Sequence, residues 1–126
     1  MKILINTSTN KDIIQEFLDE TKKRISDGVQ ITFSGKASAE LSDLALDHNI
    51  TGEDIEQAML NLSPENYFRG ADPSPLGDFS VCAFSTVVGA DNLEIYLKYG
   101  LHVTGVQIYV FSNHVPQRPM IKPFNN

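Results

Sequence analysis

The hydrophobic pattern of this chain changes its period once, near residue 70. Before that point, apolar residues recur every three or four positions, which is the spacing of a helix with one buried face. This spacing predicts three helices, from Asn10 or Lys11 to Gly28, over residues 38–49 and over residues 50–60. A short β-branched segment at 29–34 predicts a strand between the first and second helices.

After residue 70 the apolar residues alternate with polar ones, as they do in half-buried strands. Residues 70–77 are rich in Gly and Pro and predict a loop, followed by strands over 78–88, 92–100 and 103–112. The connections between these strands are short, which favours an antiparallel meander. The sequence therefore predicts one α+β domain, residues 1–126, with helices packed on one face of a mainly antiparallel sheet.

Local signals support the third helix and the absence of crosslinks. Thr51 and Asp54 have the spacing of a capping box, and Ile50 and Ile55 flank it as a hydrophobic staple. The only cysteine, Cys82, lies in an apolar run and is interpreted as a small buried hydrophobe. A chain of 126 residues can bury a core of its own without disulfides or metal.

The net charge is −6 and is unevenly distributed. Residues 1–62 carry eleven acids against six Lys and Arg, whereas residues 63–126 carry five against four. On its own this acidity argues against a nucleic-acid binder, which usually has a basic surface, and no binding to DNA is expected. An anion site is expected in the second half only. No stretch is long enough to span a membrane, and the first apolar patch is too short for a signal peptide, so a cytoplasmic protein is expected.

The strand at 92–100 carries the residues best suited to chemistry. Its alternation places Leu93, Ile95, Leu97 and Tyr99 on the core face. The open face then presents a carboxylate, a phenol and an ammonium about 7 Å apart, from Glu94, Tyr96 and Lys98. The plainer interpretation of this row is a solvated strand face with a charge pair.

Two further residues are candidates for the same site. Arg69 follows the third helix, and its guanidinium is suited to holding a phosphate. His114 ends the last strand, and its imidazole is suited to acid–base work near neutral pH. His114 shares its parity with the apolar residues Ile108 and Val110, so it reaches the open face only if the strand bulges, bends or ends near residues 112–113.

This set of side chains suits the cleavage of RNA without a metal ion. The 2′-hydroxyl attacks the adjacent phosphate, a base removes its proton, and an acid protonates the leaving 5′-oxygen. Cations stabilise the charge that develops on the phosphate. These roles can be divided among Arg69, Glu94, Tyr96, Lys98 and His114. No metal-binding cluster of carboxylates and no cofactor motif is apparent.

Four segments resemble the MqsR family of bacterial toxin–antitoxin ribonucleases, within the RelE-like superfamily. They are LSPENYFRG (62–70), EIYLKYG (94–100), SNH (112–114) and PMIKPF (119–124), the last two being similar to a divergent branch with a histidine near its C-terminus. With the helix pair before them, the resemblance covers roughly residues 30–124.

The resemblance implies a RelE-like fold and a sequence-specific, ribosome-independent endoribonuclease that a cognate antitoxin silences. It places Arg69, Tyr96 and His114 in the active site, with Lys98 either adjacent or structural. It also suggests that Phe124 packs the proline-rich tail against the sheet. The tail would then bring Arg118 or Lys122 near the RNA.

The acidic first half of the chain favours a different class of protein. On the same scaffold, a non-catalytic binding module, such as an immunity or antitoxin-like protein, would use its acidic helices to occupy a basic partner. In that case charge reversals on the first helix would matter more than substitutions of Tyr96 or His114.

Overall fold

The computed structural model describes residues 11–73 and 78–124, without the side chains of residues 71–73. Within this part the chain forms three helices, α1 (Lys11–Ser26), α2 (Gly35–His48) and α3 (Gly52–Leu60). A short 3-10 turn, Pro64–Asn66, follows α3. The strands are β1 (Ile31–Phe33), β2 (Tyr67–Pro73), β3 (Phe79–Val88), β4 (Leu93–His102) and β5 (Ile108–His114). The alternative start of the first helix at Asn10 lies outside the described residues.

The five strands form one sheet in the order β1-β5-β4-β3-β2. Strands β2 to β5 pair antiparallel with their neighbours, while β1 pairs parallel with β5. The helices pack with this sheet, which confirms the predicted α+β class with a mainly antiparallel sheet. None of the described helices is long and apolar enough to cross a membrane.

The core face of the sheet is the face that the alternation of β4 predicts. Ile95, Leu97 and Tyr99 are fully buried, whereas Glu94 is exposed and Tyr96 and Lys98 are half-buried. Helix α1 covers this face because its apolar residues recur at helical spacing. The ring of Phe17 lies 5.2 Å from the ring of Tyr99, between centroids. Cys82 is also fully buried, as expected of a structural cysteine.

Helix α3 begins where its local sequence predicts. The Thr51 side chain accepts a hydrogen bond from the Asp54 backbone N–H, and the Asp54 carboxylate accepts one from the Thr51 backbone N–H. Ile50 and Ile55, on either side of this capping box, are both buried. The box satisfies backbone donors that would otherwise be unpaired at the helix start.

The predicted loop over residues 70–77 is wrong for residues 70–73, which continue strand β2. Residues 74–77 lie outside the described residues. Gly70 pairs with Cys82 of β3, with register shifts on both sides. Its φ of 113° and the approach of the Val81 carbonyl, 2.6 Å from where a β-carbon would stand, both favour glycine there. Pairing with the long strand β3 therefore overrides the turn-forming composition of this segment, and it places Arg69 on the sheet.

Strand β5 contains one extra residue relative to β4. Lys98 pairs with Ser112, but Tyr99 pairs with Val110, so Phe111 forms a β-bulge between them. The bulge changes the parity of the residues that follow it. His114 then pairs with Tyr96 and faces the open side of the sheet. The sequence predicts that His114 reaches the open face only if the strand is irregular near residues 112–113, and the bulge at Phe111 is that irregularity.

Candidate functional site

A cleft of about 480 Å³ lies on the open side of the sheet. Its floor comes from β4 and the end of β5, one side comes from β2, and the segment after β5 closes the other side. The lining residues are Phe68, Arg69, Tyr96, Ser112, His114, Pro116, Gln117, Arg118, Pro119 and Met120. The proline-rich tail thus forms a wall of the cleft.

The tail is held by its last described residue, as the sequence suggests. Phe124 stacks on Tyr67 of β2, with 5.5 Å between ring centroids and 30° between ring planes. Tyr67 is itself buried in the core, so this contact joins the end of the chain to the sheet. A tail fixed at Phe124 keeps residues 116–120 against the strand ends.

The centre of the cleft is a stacked pair of rings. Tyr96 and His114 lie 5.1 Å apart between ring centroids, at an interplanar angle of 22°. The rings of Phe68 and Tyr96 are nearly perpendicular, at 80°, with 6.2 Å between their centroids. The three rings restrict one another, because aromatic side chains have few rotamers that preserve such contacts.

The hydrogen bonds of His114 fix the role of each ring nitrogen. Nδ1 lies 2.8 Å from the Val115 carbonyl oxygen, which can only accept, so Nδ1 carries a proton. Nε2 is then the nitrogen that gains or loses a proton. It lies 4.0 Å from the Oε2 atom of Glu40, on helix α2. The side chain of His114 remains 28% exposed, which leaves it accessible from the cleft.

Two guanidinium groups border the cleft. The Cζ atom of Arg69 lies 5.1 Å from the centroid of the Phe68 ring, a distance typical of a cation–π contact. Arg118 approaches from the tail wall. Both residues are exposed, and neither has an acidic partner within salt-bridge distance in the described part of the chain. Their charges are therefore available to an anion.

The remaining predicted site residues lie outside this cleft. Lys98 is next to Tyr96 on the open face but is not among the lining residues. Glu94 accepts a hydrogen bond from the Ser85 hydroxyl at 3.1 Å, towards the other end of β4. Lys122 lies on the tail beyond the wall. The structure thus brings together Arg69, Tyr96, His114 and Arg118 in the lining of the cleft. Lys98 lies beside Tyr96 but outside that lining, and Glu94 and Lys122 are also outside it.

Other residues at the cleft were not predicted. Phe68 and Ser112 line it, and Lys36 and Glu40 lie behind it, where α2 runs past the end of β5. Lys36 and Glu40 have the i,i+4 spacing of a helical ion pair, which is a weak signal on its own. Their proximity to His114 depends on the packing of α2 on β5, which no local pattern predicts.

The arrangement combines proton transfer with anion binding. A histidine and a phenol in ring contact can exchange protons with a substrate, and two arginines can hold a phosphate. Within residues 11–73 and 78–124, no group of three or more His, Cys, Asp or Glu side chains is placed to hold a metal ion. Comparison of the chain with models of protein families, with curated proteins and with solved structures finds no match.

Proposed function

We propose that this chain is an endoribonuclease that cleaves RNA without a metal ion, as the toxin of a bacterial type II toxin–antitoxin pair. One observation carries the proposal: His114 and Tyr96 are in ring contact inside a cleft that Arg69 and Arg118 border. Proton-transfer groups and unpaired cations within one cleft are what phosphodiester cleavage by the 2′-hydroxyl requires.

In the proposed reaction, the 2′-oxygen forms a bond to the adjacent phosphorus while the bond from phosphorus to the 5′-oxygen breaks. One proton leaves the 2′-hydroxyl and one reaches the departing 5′-oxygen. The Nε2 atom of His114 and the hydroxyl of Tyr96 divide these transfers. The products are a 2′,3′-cyclic phosphate and a free 5′-hydroxyl, so no external reactant is consumed.

The cleft also accounts for how a single strand would be held. Arg69 and Arg118 both line the cleft, so a phosphate bound there could be neutralised by two guanidinium groups. Phe68 lines the cleft and offers a ring on which an unpaired base can stack. An acidic chain can bind RNA in this way because the cleft lies in the half of the sequence that is nearly neutral.

The proposed partner is a cognate antitoxin that covers the open face of the sheet and with it the cleft. The proposed location is the cytoplasm, where mRNA is available as substrate.

The proposal is tested by induced expression of wild type beside His114→Ala, with His48→Ala as the matched control. His48 is an exposed histidine at the end of α2, away from the cleft. Growth arrest, with new RNA 5′ ends at a recurring short sequence, is expected from wild type and from His48→Ala and not from His114→Ala.

Normal growth and intact RNA from soluble, folded wild-type protein would contradict the proposal. That outcome would favour the acidic binding module, and charge reversals on α1 would then be the next variants to examine. Purified protein supplies the chemical readout, because cleavage by the proposed route leaves a cyclic phosphate that a 2′-deoxy substitution at the cleaved position prevents.

A further inference from the structure

We propose that Glu40 is a positioning residue for His114, and that it holds the Nε2 edge of the imidazole for proton transfer. The inference rests on the proposed ribonuclease function, and it adds a carboxylate from helix α2 to a site built otherwise from the sheet and the tail. It is carried by the contacts of Glu40 with Asn113 and His114 at the end of β5 and with Lys36, one turn earlier on α2.

The start of helix α2 determines where Glu40 stands. Ser34 caps the helix, and its side chain accepts a hydrogen bond from the Ala37 backbone N–H at 3.0 Å. Strand β1 ends one residue before this cap and pairs with β5 only as far as Val110. Beyond Val110, the first turns of α2 replace β1 as the neighbour of β5. Lys36 and Glu40 therefore face residues 112–114.

Helix α2 is joined to the strand end by hydrogen bonds that leave Glu40 little freedom. The Asn113 backbone N–H donates to Oε1 of Glu40 at 2.9 Å. The Asn113 side-chain amide donates to the Ala37 carbonyl, also at 2.9 Å. Asn113 is fully buried, so these bonds are shielded from water.

The second carboxylate oxygen of Glu40 is oriented by a lysine. The Nζ atom of Lys36 donates to Oε2 at 2.8 Å and to the Ser112 hydroxyl at 2.5 Å. The Glu40 side chain is 18% exposed and has both oxygens engaged. It is a fixed charge, in contrast to the mobile carboxylates of an exposed helix face.

This fixed charge lies where a protonated His114 needs it. Because Nδ1 donates to the Val115 carbonyl, the ring presents Nε2 towards Glu40, at 4.0 Å from Oε2. When Nε2 takes up a proton during the reaction, the imidazolium gains a carboxylate beside it. The Tyr96 ring on one side and the Glu40 carboxylate at the edge then hold the imidazole in one orientation.

The test uses Glu40→Gln, because the glutamine oxygen can still accept the hydrogen bond from Asn113. The amide nitrogen that replaces Oε2 carries no charge and no longer accepts from Lys36. Glu16→Gln, an exposed glutamate on α1, is the matched control. Glu40→Asp tests for partial rescue by a shorter carboxylate. Single-turnover cleavage of a fluorescent RNA, binding of its 2′-deoxy analogue and thermal unfolding are measured for each variant.

The expected result for Glu40→Gln is a fall in the single-turnover rate of about tenfold or more. Binding of the uncleavable RNA and the unfolding temperature should stay close to those of wild type and Glu16→Gln. Glu40→Asp is expected to recover part of the rate. If Glu40→Gln cleaves within threefold of wild type, or loses rate only in proportion to lost stability, the positioning role is overturned.

A second measurement does not depend on cleavage. In acidic solution, the Nε2–H proton of the protonated His114 ring should exchange with water more slowly in wild type than in Glu40→Gln, as followed by NMR of histidine-labelled protein. If wild type cleaves no RNA but shows this difference, the proposed ribonuclease function fails and the contact to Glu40 stands. If neither cleavage nor the difference is observed, both proposals are wrong.

Discussion

His114 stacks on Tyr96 because β5 has an extra residue, Phe111, between the residues that pair with Lys98 and Tyr99 of β4. The bulge at Phe111 reverses the parity of the strand end, and the two rings meet at 5.1 Å on the open face. Without a bulge, strict alternation would direct His114 towards the side of Ile108 and Val110, under the helices. The site thus depends on a departure from regular β-structure.

Tyr96→Phe removes the hydroxyl of Tyr96 and keeps its ring, so it tests the two contributions separately. The variant keeps the stack on His114 and should bind RNA as wild type does. If the hydroxyl transfers a proton, the single-turnover cleavage rate should fall by about 100-fold or more. Tyr109→Phe, on the same face but outside the cleft, is the control. Wild-type cleavage by Tyr96→Phe would restrict Tyr96 to a stacking role.

Arg69→Ala and Arg118→Ala should each weaken RNA binding. If each guanidinium contacts one phosphate, its loss should reduce the slope of log affinity against log salt by about 0.7 for single-stranded RNA. Lys22→Ala removes one exposed charge from α1 and should leave the slope unchanged. Fluorescence anisotropy at a series of salt concentrations provides the measurement. An unchanged slope in both arginine variants would contradict the phosphate contacts.

Phe124→Ala should release the wall of the cleft that the tail forms. Loss of the stack on Tyr67 is expected to cost about 1 kcal/mol beyond the lost burial. Hydrogen exchange at residues 116–120 should accelerate, and RNA affinity should fall because Arg118 is no longer held at the cleft. Ile121→Ala, an apolar residue of the same tail that is 81% exposed, should change neither. Equal effects of the two variants would rule out the anchoring role of Phe124.

Gly70→Ala should destabilise the protein by about 2 kcal/mol or more, because the new β-carbon would meet backbone atoms that have no rotamer to adopt. That β-carbon would stand 2.6 Å from the Val81 carbonyl oxygen and 2.9 Å from the Cys82 α-carbon. Gly52→Ala, where the added carbon meets nothing within 4 Å, is the control. Urea denaturation measures the free energy of unfolding of both variants. If Gly70→Ala is as stable as wild type, the close pairing of β2 with β3 is contradicted.

Tyr99→Phe should change the pH dependence of stability. Burial raises the pKa of Tyr99, the main effect, while its hydrogen bond with Thr21 lowers it. In the unfolded chain this phenol loses its proton near pH 10. Above that pH the unfolded state binds fewer protons than the folded state, so the free energy of unfolding falls by about 1.4 kcal/mol per pH unit from this group.

Tyr99→Phe removes this contribution, so its stability should decline less steeply than that of wild type above pH 10. At neutral pH the variant should lose about 1 kcal/mol with the hydrogen bond to Thr21, whose hydroxyl still donates to the Phe17 carbonyl. Urea unfolding between pH 8 and about 11 measures both effects. Parallel stability curves for the two proteins would show that Tyr99 ionises equally in both states.

The sequence by itself determined the elements whose signals lie within a few residues of one another. The capping box of Thr51 and Asp54 starts α3, and the alternation from Leu93 to Tyr99 assigns both faces of β4. From these patterns follow the three helices, the meander and the α+β class. They also identified Arg69, Tyr96 and His114 as candidates, and the structure brings all three to one cleft.

Only the tertiary structure decided how distant segments meet. Pairing with β3 extends β2 through residues 70–73, although their composition favours a turn. The bulge at Phe111 turns His114 to the open face, and the packing of α2 beside β5 brings Glu40 to its ring. These features depend on hydrogen bonds and contacts between residues far apart in the chain. Hydrophobic periodicity describes only which face of an element is buried, and therefore cannot encode them.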